Sequence, residues 1–219
     1  MDRLTARAKP RWLSCADPRI DSEWWASNRE TGSPRDSYAC VVSRLETTIA
    51  DVHWYLDLFD RLDISVWIHG GWGVDALLGG QTRVHEDLDI VIEEADAVAL
   101  RAALLESDHN DISPDDTRPW NFVMGMPGER QIDFHVVVFD QSGNGIYGPP
   151  ENGDRFPASA FTGVGWIGGR PIKCMSVEWE VTSHTGYPLK PKDLADVLAL
   201  RDCFGVSLDP AHEKYLRES

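Results

Sequence analysis

Cysteine is scarce: four residues, Cys15, Cys40, Cys174 and Cys203, lie far apart in the 219-residue chain. With no C-x-x-C pair, the spacing offers neither a zinc site nor a disulfide framework, and the thiols are expected to be reduced and structural. No run approaches the ~18 apolar residues of a membrane helix. Arg3, Arg7, Lys9 and Arg11 have no apolar stretch after them to make a secretory signal, so a cytoplasmic address is expected. Repeats and low-complexity tracts are missing. Basic charge is short as well: 21 Lys+Arg face 36 Asp+Glu, a net charge of −15. A protein that holds a nucleic-acid backbone needs basic surface, so no nucleic-acid partner is expected. The same field attracts a small cation, although acidic surface also serves solubility alone.

What is present suits a folded chain. Hydrophobic residues make up 42%, enough for a substantial core. Residues 1–36 mix charges, Pro10, Pro18, Pro34 and Trp24–Trp25, and read as an irregular arm. A helix is expected from Asp36 or Ser37, with Val41, Leu45, Ile49, Val52, Leu56 and Phe59 on one stripe and Ser37 as its cap. A buried strand follows at 64–68, then a short helix at 72–78 between two Gly-Gly pairs. Further on come a strand at 88–92 and a helix at 95–105 with apolar positions Val98, Ala102 and Leu105. Strands are expected at 122–126 and 131–139. Residues 140–169, rich in Gly, Pro and Asn, read as a long loop with short extended pieces. A strand at 172–175, a helix at 178–183 and a helix at 191–204 close the series. In the last helix Leu194, Val197, Leu198 and Arg201 share a face, and Gly205 ends it. The outline is mixed α/β, with short strands packed on helices. It divides into the arm 1–36, a catalytic domain 37–140, and an acceptor-side loop with a helical part 141–219.

The chemistry concentrates in His69-Gly70-Gly71-Trp72-Gly73-Val74-Asp75 and Glu86-Asp87-Leu88-Asp89-Ile90-Val91-Ile92. Strand alternation sends Asp87 and Asp89 to one side and Leu88, Ile90 and Ile92 to the core. Two carboxylates so spaced repel unless a cation sits between them, and hard oxygen ligands suit Mg2+. An isolated D-x-D more often marks a solvated strand face, but here a Gly-Gly turn and a helix precede it. Gly70 and Gly71 allow close backbone approach, and amides at a helix N-terminus can cradle a triphosphate. In 131–138 the apolar face is Ile132, Phe134, Val136 and Val138, leaving Asp133 as a third carboxylate beside His135. Convergent carboxylates suit two-metal phosphoryl-group transfer, with Asp133 binding metal, accepting the hydroxyl proton, or both.

These segments, with Ile132-Asp133-Phe134-His135, Cys174-Met175-Ser176, His184-Thr185-Gly186-Tyr187, Asp193 and Asp196, resemble the antibiotic nucleotidyltransferases of the DNA polymerase β superfamily. The lincosamide nucleotidyltransferases stand first in that resemblance and the aminoglycoside 2″-adenylyltransferases next. The resemblance spans roughly Leu56 to Phe204. It implies an α+β nucleotidyltransferase fold, a mixed sheet flanked by helices with a smaller helical C-terminal part. It also implies Mg2+, two ions in the two-metal scheme, and ATP or another nucleoside triphosphate. Asp87, Asp89 and Asp133 then fall on the metal and catalytic set, and Gly70 and Gly71 on the phosphate turn. The implied acceptor is a hydroxylated small molecule, a lincosamide or aminoglycoside, cationic if the acidic field selects it. Relatives often dimerise, so a homodimer stays open. His69 departs from the pattern, standing where the lincosamide relatives carry Asp.

Other residues near the motif are more ambiguous. Arg83 could reach phosphate or pair with Glu86 or Asp87. Trp72 could stack on substrate but fits packing better, Asp75 could brace the turn, and His85 fits a hydrogen-bonding neighbour. His135 could touch the acceptor or be a hydrogen-bonded structural histidine. His184 and Tyr187 fit a role joining two lobes, and Lys190 and Lys192 fit solvated lysines. Asn144, Tyr147, Glu151, Asn152 and Asp154 are candidate lining for the acceptor. Two rival functions remain: a nucleotidyltransferase acting on a protein or tRNA, and a non-catalytic nucleotide-binding protein on the same fold.

Overall fold

A computed structural model describes residues 46–112, 117–126, 128–149, 151 and 153–218. Among the described residues the first helix is α1 (Ile49–Leu62). Thr48 is its extended N-cap, and Thr48 and Asp51 bond reciprocally in a capping box. Just before it, the Thr47 amide donates to the His85 carbonyl (2.8 Å) and its hydroxyl to that of Glu86 (3.0 Å). This pins the chain in extended form, so the apolar stripe did not mark one continuous helix across residue 47. The capping residue Ser37 lies outside the described residues.

The chain then runs β1 (Val66–His69), α2 (Gly70–Leu78), β2 (Leu88–Glu93), α3 (Glu94–Glu106), β3 (Asn110–Ile112), β4 (Asn121–Gly125) and β5 (Gln131–Phe139). After it come β6 (Gly145–Tyr147), β7 (Asp154–Phe156), a 3-10 turn at Ala158–Thr162, β8 (Gly163–Ile167) and β9 (Arg170–Cys174). Helices α4 (Val177–Ser183), α5 (Pro191–Phe204) and α6 (Pro210–Glu218) follow. The strands form one mixed sheet ordered β3-β4-β5-β2-β1-β9-β8, with β6 on β5 and β7 on β6. The short extended pieces expected inside the Gly/Pro-rich stretch are three paired strands, β6, β7 and β8. The sheet also crosses the boundary that composition placed at residue 140. Strands of three to five residues in a Gly-rich stretch carry too little periodicity to stand out.

One sheet face carries Leu88, Ile90, Ile92, Ile132, Phe134 and Ile68, all fully buried, under Tyr55, Leu100 and Leu104 of α1 and α3. On α3 the expected face is wrong: Val98 is 74% exposed, while Ala97, Leu100 and Leu104 turn inward. Alanine-rich helices offer two plausible stripes, and packing selects between them. On α5 the buried set is Val197 and Leu200 with two aspartates, Asp193 and Asp196, so polar contacts share its inner face. Cys174 is free and buried, but Cys203 is disulfide-bonded, contrary to the expectation of four thiols. Sequence spacing does not report proximity in space. Thr48→Ala is expected to cost about 1 kcal/mol by loss of the cap, read by urea denaturation, with no change in ligand affinity.

Candidate active site

The opposite sheet face carries the polar constellation. Strands β2 and β5 run parallel with Asp89 paired to Asp133, and antiparallel β1 places His69 on the other flank of Asp89. His69, Asp89 and Asp133 therefore form a lateral row at the mouth of the sheet. One strand position deeper, His135 pairs with Val91, its Nε2 3.5 Å from Asp89 Oδ1. Ligand atoms of Asp89, Asp133 and His135 all lie within 4.8 Å of one another. Beneath them Val91, Val137, Phe156, Ala160 and Met175 close the face, with Trp67, Phe139, Tyr147, Phe161 and Trp179 packed around.

Asp87 precedes β2 rather than sharing its ladder, and so stands apart from that cluster. Its carboxyl is pushed up to about 7, first by burial and then by the charges of Asp89 and Asp133, with Lys192 acting in the opposite sense. Asp89 is held below the ordinary carboxylate range: burial opposes ionisation, but the His135 and His69 imidazoles prevail. The site thus accumulates negative charge on a half-buried surface, which is the condition a divalent cation relieves. Two carboxylates with room for further oxygen ligands from a triphosphate fit Mg2+.

The glycine turn is explained by what surrounds it. Gly70 has φ +61°, and a Cβ there would meet the Asp89 carboxylate. A Cβ on Gly71 would meet the His85 ring and the Arg83 guanidinium. Both glycines let the first turn of α2 close onto these side chains. Asp75 braces the loop beyond: its Oδ1 accepts from the Thr82 amide (3.0 Å) and hydroxyl (2.6 Å), and its Oδ2 is 2.5 Å from His85 Nε2. Trp72 is 1% exposed and lies against the His85 ring, so it packs rather than faces solvent.

Arg83 pairs with neither Glu86 nor Asp87. Its guanidinium grips Asp196 of α5, with Nη2 donating at 2.7 Å and Nε at 3.2 Å. Sequence distance hid this, since α5 lies over a hundred residues away. His184 ties the C-terminal helices together: its Nδ1 is 2.6 Å from the Glu180 carbonyl, and its own carbonyl is 2.7 Å from His212 Nε2. Tyr187, in contrast, is 44% exposed. Among the loop candidates, Tyr147 lies 5.8 Å from the His135 ring, its hydroxyl donating to Asn121 (2.9 Å). Asn144 is fastened to Asp140, Glu151 and Asp154 are exposed, and Asn152 lies outside the described residues. A cavity of about 510 Å3 beside Val98, Phe122 and Val136 is on the α3 side of the sheet, away from the carboxylates.

Sequence reasoning missed Glu180. It is wholly buried on α4, its Oε1 3.1 Å from His69 Nδ1. A glutamate in a short amphipathic helix gives no signal of burial. His69 is held above its ordinary value: burial works against the charged ring, but Glu180, Asp89 and Asp133 outweigh it.

A strand, a Gly-Gly turn opening a helix, and carboxylates aligned on two central strands are the arrangement expected of a nucleotidyltransferase. A family model described as Aminoglycoside-2''-adenylyltransferase matches residues 51–200. The chain belongs to that family. A lincosamide resistance protein from Staphylococcus haemolyticus is 29% identical over 163 residues, 70% of this chain and 94% of that protein. A 2''-aminoglycoside nucleotidyltransferase from Klebsiella pneumoniae is 28% identical over 134 residues, 61% of this chain and 70% of that protein. In structure, the lincomycin-bound lincosamide antibiotic adenylyltransferase LnuA aligns with a TM-score of 0.64 and 26% identity, covering 72% of this chain and 99% of its own. ANT(2")-Ia in complex with adenylyl-2"-tobramycin shares the fold at a TM-score of 0.57 and 21% identity, covering 78% of this chain and 94% of its own.

The Asp87 shift has a measurable consequence in the metal-free chain. A carboxyl raised in the folded state stabilises the fold below its unfolded value, near pH 4, and that contribution is lost as pH climbs through about 7. Asp87→Asn is therefore expected to raise the melting temperature at about pH 8 and much less at about pH 5. An equal gain at both would contradict the electrostatic origin of the shift.

Proposed function

We propose that the protein is a metal-dependent O-nucleotidyltransferase, most simply an adenylyltransferase, that transfers a nucleoside monophosphate from ATP or another nucleoside triphosphate to a hydroxyl of a small-molecule antibiotic. The acceptor oxygen bonds to the α-phosphorus while the bond to the bridging oxygen of the β-phosphate breaks, releasing pyrophosphate. One observation carries the reading: Asp89 and Asp133 stand side by side next to the Gly70–Gly71 turn.

Asp87, Asp89 and Asp133 would hold Mg2+, two ions in the usual scheme, which when bound neutralises the triphosphate and eases loss of pyrophosphate. Gly70 and Gly71 would present main-chain amides to phosphate oxygens at the start of α2. Asp133 would accept the hydroxyl proton or hand it to solvent. Arg83, its guanidinium anchored by Asp196, would reach phosphate only with its remaining N–H groups. His135 and Tyr147, whose rings lie 5.8 Å apart, would meet the acceptor, and the buried Trp72 and Asp75 would support the turn.

The acceptor class is drawn from two directions. Relatives are named for lincosamides and for aminoglycosides, and a net charge of −15 favours a cationic acceptor. That charge also speaks against a nucleic-acid acceptor. We place the protein in the cytoplasm, where nucleoside triphosphates are supplied; no helix among the described residues is long and apolar enough to cross a membrane.

The test is a pyrophosphate-release assay with Mg2+, the four nucleoside triphosphates and a panel of lincosamides and aminoglycosides, with product masses. One acceptor is expected to gain the mass of one nucleoside monophosphate, and Asp89→Asn to lower the rate by about a thousandfold or more. Folded protein that binds nucleotide but modifies none of them would sink the antibiotic reading and point to a macromolecular acceptor.

A further inference from the structure

The first turn of α2 is enclosed by polar side chains, and one comes from a helix that the motif does not include. Gly70 abuts Asp89, Gly71 abuts His85 and Arg83, and Gly73 abuts the Glu180 carboxylate of α4. Glu180 is 0% exposed, and its Oε2 has no hydrogen-bond partner among the described residues. A buried carboxylate using half its acceptor capacity is unfavourable unless a donor or a favourable dipole is close. Two are at hand: the positive end of α2, and His69, whose Nδ1 is 3.1 Å from Glu180 Oε1.

His69 occupies a pivotal position. It is the N-cap of α2, it pairs with Asp89 across the β1–β2 ladder, and its ring meets the His135 ring edge-on at 5.5 Å. Glu180 is itself fixed from behind, its carbonyl bonded by His184, whose Nε2 lies 4.0 Å from the Asp196 that grips Arg83. The contacts thus encircle the turn from β1 through α4 and α5 back to Arg83.

We propose that Glu180 and His69 form one hydrogen-bonded pair that positions the Gly70–Gly71 turn and Asp89, making Glu180 a positioning residue for nucleoside triphosphate binding. The proposal rests on the nucleotidyltransferase reading of the site. A triphosphate would meet main-chain amides at the start of α2; a Glu180 released from His69 would shift the turn that presents them, whereas the 3.1 Å contact keeps it in place. The pair therefore acts on nucleotide affinity.

Calorimetric titration of Mg-ATP into the full-length protein tests this, with melting temperature as the control for folding. His69→Asp removes the donor and sets a carboxylate against Glu180, and is expected to weaken affinity about tenfold or more. Adding Glu180→Gln should recover most of that loss, so the double variant binds far better than the product of the single losses predicts. His69→Asn, which keeps a donor near the Nδ1 position, is expected to stay within about threefold of the parent. If His69→Asp does not fold, His69→Ala with Glu180→Gln supplies the same cycle without added charge. Losses that multiply, or His69→Asn as damaging as His69→Ala, would overturn the coupling. A parent protein that does not bind Mg-ATP would overturn the nucleotidyltransferase reading and this proposal with it, whereas binding with independent losses overturns this proposal alone.

Discussion

The site depends on one register. Parallel pairing of β2 with β5 sets Asp89 against Asp133, two carboxylates one strand apart on a half-buried face. Left alone, such a pair is repulsive, and burial enlarges the repulsion by lowering the local dielectric. Much of the surrounding structure compensates for it. His69 and His135 flank Asp89, and Asp87, the next carboxyl out, is driven towards its neutral form. The other face of the same strands is filled with Leu88, Ile90, Ile132 and Phe134, which hold the register against slippage. A slip by one residue would carry the carboxylates into the core, so the hydrophobic pattern and the catalytic geometry enforce each other.

Around that pair the polar contacts are organised by the helix that begins at Gly70. Gly70, Gly71 and Gly73 abut different charged or polar side chains, which come from three parts of the chain: β2, the loop before it that carries Arg83 and His85, and α4. The C-terminal helices are therefore part of the site's construction and not an appendage. Asp196 and Asp193 sit on the inner face of α5, where Asp196 fixes Arg83 and Asp193 accepts from the Lys190 amide at 2.8 Å. This explains why α5 buries two aspartates where its apolar pattern suggested leucine.

How far the sequence was legible follows from the range of the interactions. Segments 88–92 and 131–139 read correctly because their period reports the face they bury, whereas 191–204 read correctly as a helix but buries Asp193, Asp196, Val197 and Leu200 rather than the expected set. The mixed sheet, the glycine turn and the carboxylates on neighbouring strands were legible as a composite motif. Asp75 and Trp72 could be placed as brace and packing because both belong to that motif. Four features were not legible: the start of α1, fixed by Thr47 reaching His85; the outward face of α3; the bounds and pairing of the short strands inside 140–169; and the Arg83–Asp196 and His69–Glu180 pairs. Each depends on a partner far away in sequence, or on strands too short to show a period. Glu180 is the sharpest case, since local context marks it as an ordinary surface glutamate and only the fold buries it.

If the carboxylate row holds a nucleoside triphosphate through a divalent cation, calorimetric titration of ATP into the intact protein with Mg2+ and then with a chelator, repeated for Asp133→Asn, reads it directly. Saturable binding that requires Mg2+ and falls at least about tenfold in the variant is expected. Equal affinity in the chelator, or an unaltered affinity in Asp133→Asn, would contradict it.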